Sequence, residues 1–203
     1  MTLVDEIVVK HLGTLPYGQA LQAMREFTTG RTDATADEIW LVEHPPVYTL
    51  GQGATPSLKK DTSIPLVRSD RGGEITYHGP GQAVLYTLVD LVRRAITVKR
   101  FVWLLEQAVI DLVGTRAVRR PGAPGVYVGG AKLAALGIRV KRGRAYHGLA
   151  VNVDMDLAPF AAIDPCGYPG LRVTQLRDLG FKTTVKEAGE SLSRVLVHLL
   201  DHA

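Results

Sequence analysis

Two strand-like runs follow one another directly in residues 132–156, and they restrict the possible folds more than any other feature of the sequence. The runs "KLAALGIRVKRG" and "RAYHGLAVNVDMD" meet at "KRGR", where Gly143 can adopt the positive φ of a tight hairpin turn. The strands of a hairpin are antiparallel, whereas a doubly wound sheet of βαβ units has parallel strands. The pattern therefore favours a mixed sheet over a doubly wound parallel one.

Three helix patterns and six more strand-like runs make up most of the remaining chain. The first helix pattern covers residues 16–30, and the second has Thr97 as a possible N-cap and Gly114 as its stop. The third begins with a capping box from Thr184 to Glu187. The other strand-like runs are residues 6–12, 38–44, 46–51, 64–69, 83–91 and 125–130. Because several strands follow one another without a helix, we predict an α+β fold with a mixed sheet.

Length and composition suit one globular domain, which we expect to span residues 1–203. The residues are 46% hydrophobic and 22% charged, as in an ordinary soluble protein. No run of 18 apolar residues is present, so no transmembrane helix is predicted. The N-terminus lacks the basic and apolar pattern of a secretory signal, and the single cysteine fits a reducing cytoplasm.

The charge of the chain is unevenly spread. Residues 93–144 carry 12 Lys+Arg and 2 Asp+Glu, a net charge of +10, whereas the remainder carries a net charge of −6. Such a basic block can attract an acidic partner and speed their encounter, or it can be a basic face that contacts only solvent. Nucleic acid is a weaker option, because few aromatic residues lie between the charges and no nucleic-acid-binding motif is recognisable.

The segment "RGGEITYHGPGQ", residues 71–82, holds four glycines, a proline, an arginine and a histidine. Glycines let a backbone approach a ligand closely and expose its amide donors. Arg71 could hold an anion, and His78 could donate or accept a hydrogen bond. A tight turn around a satisfied histidine would use the same residues, so the segment favours a binding loop but leaves a simple turn open.

The segment "GVYVGGAKLAALG" comes close to a phosphate-binding loop and fails. Gly125 and Gly130 have the required spacing, but Ala131 precedes Lys132, and Leu133 stands where Ser or Thr would bind magnesium. A P-loop is therefore rejected. Lys132 interrupts an apolar strand, which indicates either a charge on an edge strand or an ammonium placed for chemistry.

Two histidines lie in strand-like patterns. Strict alternation in "RAYHGLAVNVD" puts His147 on the same apolar face as Leu149 and Val151, which is typical of a core histidine with satisfied hydrogen bonds. His44 precedes two prolines in "EHPPVYTLG", which is typical of a rigid entry into a strand. Neither residue is assigned to catalysis by its own segment.

Cys166 in "IDPCGYPG" is the only cysteine, and prolines and glycines surround it. A free cysteine is usually a small buried hydrophobe in a strand or helix, so this loop placement indicates a reactive thiol, provided that a nearby cation stabilises the thiolate. No H-x-x-H or C-x-x-C spacing is present, so no metal site is predicted and no cofactor is assigned. The residues alone support a cysteine nucleophile, for which His78 or His147 could be proposed as a base.

Five segments occur in order along residues 41–176: "EHPPVYTLG", "RGGEITYHGPGQAVLY", "GGAKLAALGIRV", "HGLAVNVDMDL" and "PCGYPGLRVTQL". Together they resemble the lipoyl/octanoyl transferases, which move an octanoyl chain from acyl carrier protein to lipoyl domains. The combination of the Gly-x-Lys strand with Pro-Cys-Gly-Tyr is highly specific. The resemblance implies a biotin/lipoate protein ligase-like α+β fold, with a mixed sheet that faces an acyl tunnel.

The resemblance also implies roles for individual residues. Cys166 would be the acyl-bearing nucleophile, Lys132 its cationic partner, and His147 a supporting residue close by. The walls of the substrate site would be Arg71, Gly72, Gly73, Glu74, Ile75, Thr76, Tyr77, His78, Ala135, Leu136, Gly137, Gly148, Leu149 and Ala150. An ammonium beside a thiol favours the thiolate, which attacks thioesters readily, and a neutral Lys132 could take a proton from the acceptor amine.

Two kinds of protein partner follow from the resemblance. The donor would be octanoyl-acyl carrier protein, and the acceptors would be lipoyl domains of 2-oxoacid dehydrogenase complexes and the glycine cleavage H protein. Neither nucleic acid nor a membrane is expected as a partner. Three other functions stay open: an ATP-dependent lipoate or biotin ligase, a non-catalytic lipoyl- or acyl-carrier-binding module, and a hydrolytic cysteine enzyme. Of these four functions, octanoyl transfer is the only one that needs Cys166, forms an amide and also proceeds without ATP.

Overall fold

The computed structural model describes residues 6–54, 58, 62–164 and 170–203. The strands are β1 (Ile7–Thr14), β2 (Asp37–Glu43), β3 (Val47–Leu50), β4 (Leu66–Arg68), β5 (Ile75–His78), β6 (Gln82–Asp90), β7 (Ala117–Arg119), β8 (Gly125–Val128), β9 (Ala131–Lys141) and β10 (Arg144–Asn152). The α-helices are α1 (Tyr17–Gly30), α2 (Val98–Val113) and α3 (Val185–Asp201). Short 3-10 helices occupy Ala158–Ala162 and Arg177–Leu179. Cys166 lies outside the described residues, so its placement in a loop stays a prediction.

Seven strands form the main sheet, in the order β1-β2-β6-β10-β9-β8-β7. β1 and β2 are parallel, and all the other neighbours in this sheet are antiparallel. A second sheet has the order β4-β3-β5, with β3 parallel to β4 and antiparallel to β5. Both sheets are therefore mixed, and the predicted α+β fold with a mixed sheet is confirmed.

The hairpin predicted at "KRGR" joins β9 to β10. Arg142 and Gly143 have φ values of 51° and 77°, so both central residues of the turn are left-handed. Positive φ at both positions is the type I′ arrangement, which matches the twist of the flanking strands. The register pairs Arg144 with Lys141, and β10 lies between β9 and β6 at the centre of the main sheet.

Helices cover both faces of the main sheet. Phe101 of α2 and Leu192 of α3 join one core, which also contains Leu149 of β10. Met24 of α1 joins a smaller core on the other face, together with Tyr86 of β6. Alternate residues of the central strands thus enter different cores. Among the described residues, no helix combines the length and the apolar character needed to cross a membrane.

Side-chain caps define where two of the helices begin, as predicted. Thr97 Oγ1 accepts a hydrogen bond from Arg100 N at 3.1 Å, and Gly114 follows α2 with a φ of 85°. Glu187 N donates to Thr184 Oγ1 at 3.2 Å, and Thr184 N donates to Glu187 Oε2 at 2.8 Å. These bonds satisfy backbone donors that have no partner inside the helix, and the predicted ends are confirmed.

The sequence pattern misses two short strands. β5 lies inside the glycine-rich segment 71–82 and pairs with β3, so that Tyr77 lies opposite Tyr48. β7 has three residues and forms one edge of the main sheet. Strands this short depend on a partner strand more than on their own pattern. The segment predicted as a binding loop or a tight turn is therefore a strand with glycine-rich ends.

Candidate active site

A narrow cavity of about 70 Å³ lies between the main sheet and the second sheet. The central strands β6, β9 and β10 form one side, and the glycine-rich segment with β5 forms another. Tyr17 of α1, Phe160 and Val173 complete the lining. A mainly apolar lining with a few buried polar groups is typical of a site for a small apolar ligand.

The cavity brings together most of the residues that the resemblance assigns to the substrate site. Those that line it are Arg71, Gly73, Glu74, Ile75, Thr76, His78, Lys132, Ala135, Leu136, Gly137, His147, Gly148, Leu149 and Ala150. Gly72 and Tyr77 are not among the lining residues; the Tyr77 ring packs 5.5 Å from the ring of Tyr48 in the second sheet. Cys166 lies outside the described residues. The roles assigned to all of these residues stay predictions.

Lys132 is buried inside the main sheet, with 4% of its surface exposed. Its backbone is bonded on both sides, because Lys132 pairs with Tyr127 of β8 and also contacts the segment after residue 170. On that second side, Lys132 N donates to Arg172 O at 2.8 Å, and Thr174 N donates to Lys132 O at 2.9 Å. An edge strand would leave one side open. The edge-strand interpretation is therefore wrong, and a placed ammonium is favoured.

The surroundings of the Lys132 ammonium suit a cation. Nζ donates to Pro124 O at 3.2 Å and lies 5.7 Å from the centroid of the Tyr127 ring. Gly125 leaves room for the side chain, since a Cβ there would lie 2.7 Å from Lys132 Cε. Its φ of 144° is also one that glycine adopts readily and other residues do not. The beginning of β8 is thus shaped around the ammonium.

Arg71 fixes the glycine-rich segment against both sheets. Its Nη2 donates to Thr49 O at 2.6 Å and to Thr49 Oγ1 at 2.8 Å, and its Nη1 donates to Gly72 O at 3.0 Å. Gly72 N in turn donates to Ile138 O of β9 at 2.9 Å. The pairing of β9 with β8 ends at Ala135, so the glycine-rich segment contacts β9 beyond that point. The guanidinium therefore shapes one wall of the cavity, and anion binding by Arg71 stays a prediction.

His147 contradicts the predicted alternation along β10. Its φ is 64°, a left-handed value that is costly for a residue with a Cβ. The ring stacks on Tyr146, with centroids 5.0 Å apart, and lies 6.2 Å from the ring of Tyr86. Those tyrosines belong to the core under α1, whereas Leu149 and Val151 belong to the core under α2 and α3. The backbone turns the imidazole toward the core under α1, so its predicted place on the face of Leu149 and Val151 is wrong.

Asp70 holds the imidazole of His147 in one orientation. Its Oδ1 is 2.7 Å from His147 Nε2, and its Oδ2 accepts from Tyr146 OH at 2.7 Å and from Arg25 Nε at 2.9 Å. Burial raises the pKa of Asp70, but the hydrogen bonds from His147, Tyr146 and Arg25 outweigh burial and hold that pKa well below its usual range. Asp70 is therefore an ionised acceptor.

The two nitrogens of His147 have different surroundings. Burial lowers the pKa of His147, and this effect exceeds the opposing effect of Asp70, so the ring is neutral at neutral pH. Since Nε2 carries the proton that it donates to Asp70, Nδ1 carries a lone pair. Nδ1 is buried and has no hydrogen-bond partner in the part of the chain that the structure describes. The sequence predicts a core histidine with satisfied hydrogen bonds, but in the described structure only Nε2 of His147 has a hydrogen-bond partner.

Polar side chains connect the glycine-rich segment to Lys132. His78 Nδ1 donates to Gln82 Oε1 at 2.7 Å, and Gln82 Nε2 donates to Asn152 Oδ1 at 2.9 Å. Asn152 Nδ2 donates to Thr174 O at 2.9 Å, and Thr174 N is bonded to Lys132 O. Burial lowers the pKa of His78 to about 3, so the ring is neutral and can act as this donor. Among the described residues, no group of three His, Cys, Asp or Glu side chains is arranged to hold a metal ion.

Sequence reasoning misses several residues of this site. Gln82 and Asn152 line the cavity, and each is a buried polar residue at one end of a mainly apolar strand. That is the same signal that singles out Lys132, so both could have been found. Asp70 lies in a polar stretch before the glycine-rich segment and carries no such signal. Tyr86 lines the cavity but has the pattern of an ordinary core aromatic.

The structure neutralises part of the basic block 93–144. Among the described residues, ion pairs with carboxylates join Arg93 and Arg94 to Asp37, Arg144 to Asp90, and Arg119 to Glu106. Lys132 is buried as well. The net charge of the block therefore overstates the charge that is open to a partner.

Basic residues of the block lie near both ends of the cavity; all of those named below are exposed except Arg119, which is half-buried and paired with Glu106. In the α2 patch, defined as Arg100, Trp103, Arg119 and Arg120, the guanidinium groups of Arg100 and Arg119 lie 4.3 Å and 4.5 Å from the Trp103 ring. The guanidinium of Arg120 lies 4.9 Å from the ring of Tyr127, which also contacts Lys132. The hairpin pair, Lys141 and Arg142, lies at the β9–β10 turn, beyond His147. The α2 patch therefore borders the Lys132 end.

Fold and site together define an α+β enzyme in which a mixed sheet and a glycine-rich segment enclose a narrow, mainly apolar cavity beside a buried lysine. The family model of the lipoyl protein ligase A/B catalytic domain matches residues 16–197, and the chain belongs to that family. The resemblance found in the sequence is confirmed.

Known proteins agree with this assignment. The octanoyltransferase of Dechloromonas aromatica (strain RCB) is 58% identical over 198 residues, which cover 96% of this chain and 97% of that protein. A bipartite lipoate protein ligase from Thermoplasma acidophilum has a TM-score of 0.74 at 16% identity, covering 96% of this chain and 84% of the other. Biotin protein ligase from Aquifex aeolicus has a TM-score of 0.54 at 10% identity, covering 97% and 70%. The predicted fold class and acyltransferase activity are confirmed.

Proposed function

We infer that the chain transfers an octanoyl group to lysine side chains of lipoyl domains, as a step of protein lipoylation. The observation that carries this function is a buried lysine at one end of a narrow apolar cavity, in a chain 58% identical to an octanoyltransferase. We further propose that residues 1–203 act as one catalytic domain in the cytoplasm. Limited proteolysis and cell fractionation would test these two points.

The cavity is the proposed site of the acyl chain. Its walls include Ala135, Gly137, Gly148 and Ala150, whose small side chains leave space between the sheet and the glycine-rich segment. Such walls offer an acyl chain apolar contact and no competing hydrogen bonds. Each buried methylene is worth ~0.8 kcal/mol, so chain length strongly affects binding.

Cys166 is the proposed nucleophile of the first step. Its thiolate attacks the carbonyl carbon of the donor thioester, a new C–S bond forms as the old one breaks, and the donor leaves as a thiol that has taken a proton from the Lys132 ammonium. One thioester replaces another, so the step is close to isoenergetic. The Lys132 ammonium favours the thiolate of Cys166 by electrostatic attraction. Support for this pairing comes from the loop placement of Cys166 in the sequence and from the burial of Lys132.

In the second step the amine of a lipoyl-domain lysine attacks the acyl thioester. The amide C–N bond forms, the C–S bond to Cys166 breaks, and the amine loses a proton that a neutral Lys132 can accept. Formation of an amide from a thioester is downhill, so the step needs no ATP. Lipoyl domains of 2-oxoacid dehydrogenase complexes and the glycine cleavage H protein are the proposed acceptors. Transfer assays with each isolated domain would rank them.

Octanoyl-acyl carrier protein is the proposed donor, and the α2 patch is its proposed docking surface. An acidic protein is attracted to exposed arginines, and such attraction raises the rate of encounter. The α2 patch also lies beside the Lys132 end of the cavity, since Arg120 and Lys132 both contact the Tyr127 ring. A thioester delivered there would arrive next to the ammonium. The hairpin pair carries similar charge at the far end.

Two double variants with matched charge reversals distinguish docking of the donor protein on the α2 patch from general electrostatic attraction. The double variant R100E/R120E and the double variant K141E/R142E change the net charge by the same amount. Only the first should raise KM for octanoyl-acyl carrier protein strongly, and neither should change the rate with octanoyl-pantetheine, a small neutral donor. Equal effects of both variants would exclude docking on the α2 patch and leave only long-range attraction, which salt would screen.

Mass spectrometry of the intact protein tests the reaction itself. Incubation with octanoyl-acyl carrier protein should add one octanoyl group, and a lipoyl domain should then remove it without ATP. Cys166→Ser should show no adduct. An equal adduct in that variant would reject Cys166 as the nucleophile. A requirement for ATP would indicate a ligase, and release of free octanoate without amide would indicate a hydrolase.

A further inference from the structure

The cavity runs along β9 and β10 from Lys132 to His147. Its lining residues on β9 end at Gly137, and those on β10 end at His147, which pairs with Ile138. Lys132 and Ile138 are six positions apart on β9, which is about 20 Å at ~3.3 Å per residue. An eight-carbon chain is about 10 Å long, given C–C bonds of ~1.5 Å. Lys132 Nζ lies beside Gly125, which pairs with Ala135 of β9. From Ala135 to Ile138 is three positions, or ~10 Å, so an acyl chain that starts next to the ammonium would finish close to His147.

The lining changes character at the His147 end. Between the two ends it offers small residues of β9 and β10, such as Ala135, Gly148 and Ala150. At the far end it offers the imidazole of His147, the ring of Tyr86 and the side chain of Arg71, whose Cδ would lie 3.1 Å from a Cβ at position 137. Large rings close a channel that small residues leave open.

Three constraints hold the imidazole in place. Asp70 accepts its Nε2–H at 2.7 Å, and the same carboxylate accepts Tyr146 OH at 2.7 Å. The imidazole also stacks on the Tyr146 ring, 5.0 Å away. The left-handed backbone of His147 directs the side chain toward the cavity. A side chain fixed by a neighbour's carboxylate, a ring and the backbone makes a rigid stop.

We propose that His147, oriented by Asp70, ends the acyl channel and thereby sets the length of the acyl chain that the enzyme transfers. This inference rests on the proposed use of the cavity as the acyl site. A longer chain would have to displace the ring and break its bond to Asp70. In this proposal the unpartnered Nδ1 of the ring meets the end of the acyl chain. A shorter chain leaves wall uncovered and loses about fourfold per methylene, which corresponds to ~0.8 kcal/mol.

The main test compares chain-length preference in two variants of the same strand. Glycine adopts a φ of 64° without strain, so His147→Gly removes the ring and keeps the backbone. Its ratio of kcat/KM for decanoyl- over octanoyl-pantetheine should rise by up to ~15-fold, because two methylenes gain burial at ~0.8 kcal/mol each. The control is Val151→Ala, which removes volume from the core under α2 and α3 and does not line the cavity. Its ratio should stay that of the wild type.

A second variant tests whether Asp70 orients the imidazole of His147. Asp70→Asn keeps the size of the side chain but removes the charge that holds the imidazole. Its decanoyl-to-octanoyl ratio should rise by less than that of His147→Gly. An unchanged ratio in folded His147→Gly would overturn the proposal, and if that variant does not fold, an unchanged ratio in Asp70→Asn would do so. Failure of the wild type to transfer octanoyl at all would instead reject the proposed function.

A terminal hydroxyl tests whether Nδ1 faces the end of the chain. The probe is 8-hydroxyoctanoyl-pantetheine, whose hydroxyl can donate to Nδ1. His147→Phe keeps a planar ring of similar reach and removes the acceptor. The variant also loses the bond to Asp70, so its decanoyl-to-octanoyl ratio should rise about as much as in Asp70→Asn. It should discriminate against the hydroxyl about tenfold more than the wild type does, because a buried hydroxyl would lose its partner. If the wild type and His147→Phe discriminated equally against the hydroxyl, Nδ1 would not contact the end of the chain, and this part of the proposal would be wrong.

Discussion

Lys132→Met tests whether the buried ammonium activates the thiol of Cys166. Lys132 is 4% exposed, so little water screens its charge from a neighbouring group. A cation beside a cysteine lowers its pKa by about one unit or more from ~8.5. At pH 7, one unit raises the thiolate fraction from about 3% to about 24%. Methionine keeps much of the apolar stem and removes the charge, so self-acylation at pH 7 should slow about eightfold or more.

The same substitution should change stability only modestly, because two opposing effects nearly cancel. The ammonium loses its bond to Pro124 O and its contact with the Tyr127 ring, which are worth ~1.5–3 and ~0.5–2 kcal/mol. Its removal also abolishes the cost of burying a charge, which is several kcal/mol. Since these effects have opposite sign and similar size, the free energy of unfolding should change by no more than ~2 kcal/mol.

Two measurements separate these effects. The rate of alkylation by iodoacetamide between pH 5 and 10 gives the pKa of the thiol, and urea unfolding gives the stability. Lys132→Arg is the control, because it keeps the charge but cannot act as a base. It should retain part of the pKa effect and lose more of the amide-forming step than of self-acylation. An alkylation profile that Lys132→Met leaves unchanged would refute the ion pair.

Three further predictions follow from the surroundings of the cavity. Gly125→Ala should destabilise the protein by ~1–3 kcal/mol and raise the thiol pKa, because the new Cβ would meet Lys132 Cε at 2.7 Å; wild-type values in urea unfolding and alkylation would contradict this. Asn152→Leu should lower stability by ~1–3 kcal/mol, since Thr174 O loses a buried donor, and an unchanged urea midpoint would argue against the polar chain. The pKa of His78 falls from 6.5 in the unfolded chain to about 3 in the folded one, so the unfolded chain binds more protons below pH 6.5. Stability should therefore be complete above pH 6.5 and fall by up to ~1.4 kcal/mol per pH unit below it, and a flat urea midpoint between pH 7 and 5 would exclude a buried neutral ring.

Features that depend on neighbouring residues could be predicted from the sequence. The caps at Thr97 and Thr184 use donors three residues away, and the hairpin uses the positive φ of Gly143. Lys132 could be singled out because a charge inside an apolar strand needs a partner. Gln82 carries the same kind of signal, and the same reasoning extends to it.

Features that depend on distant residues could not be predicted in this way. The side-chain direction of His147 follows from a left-handed backbone and from Asp70, 77 residues away, so the alternation of β10 gives no hint of it. The covering of the cavity by the second sheet depends on β5, a strand that needs its partner β3 to form. Long-range pairings of this kind leave little trace in a local pattern.

The backbone bonds of Lys132 have a consequence for the length of the chain around the thiol. Arg172 O and Thr174 N are bonded to N and O of Lys132, so the strand that carries the amine also anchors the chain a few residues after Cys166. A fixed number of residues thus separates Cys166, the proposed partner of Lys132, from this anchor. An inserted residue between positions 166 and 172 would lengthen the chain between Cys166 and the segment bonded to Lys132. The backbone bonds of Lys132 and the side chains of Lys132 and Cys166 would stay unchanged. The number of residues between Cys166 and Arg172 should therefore affect how the thiol reacts.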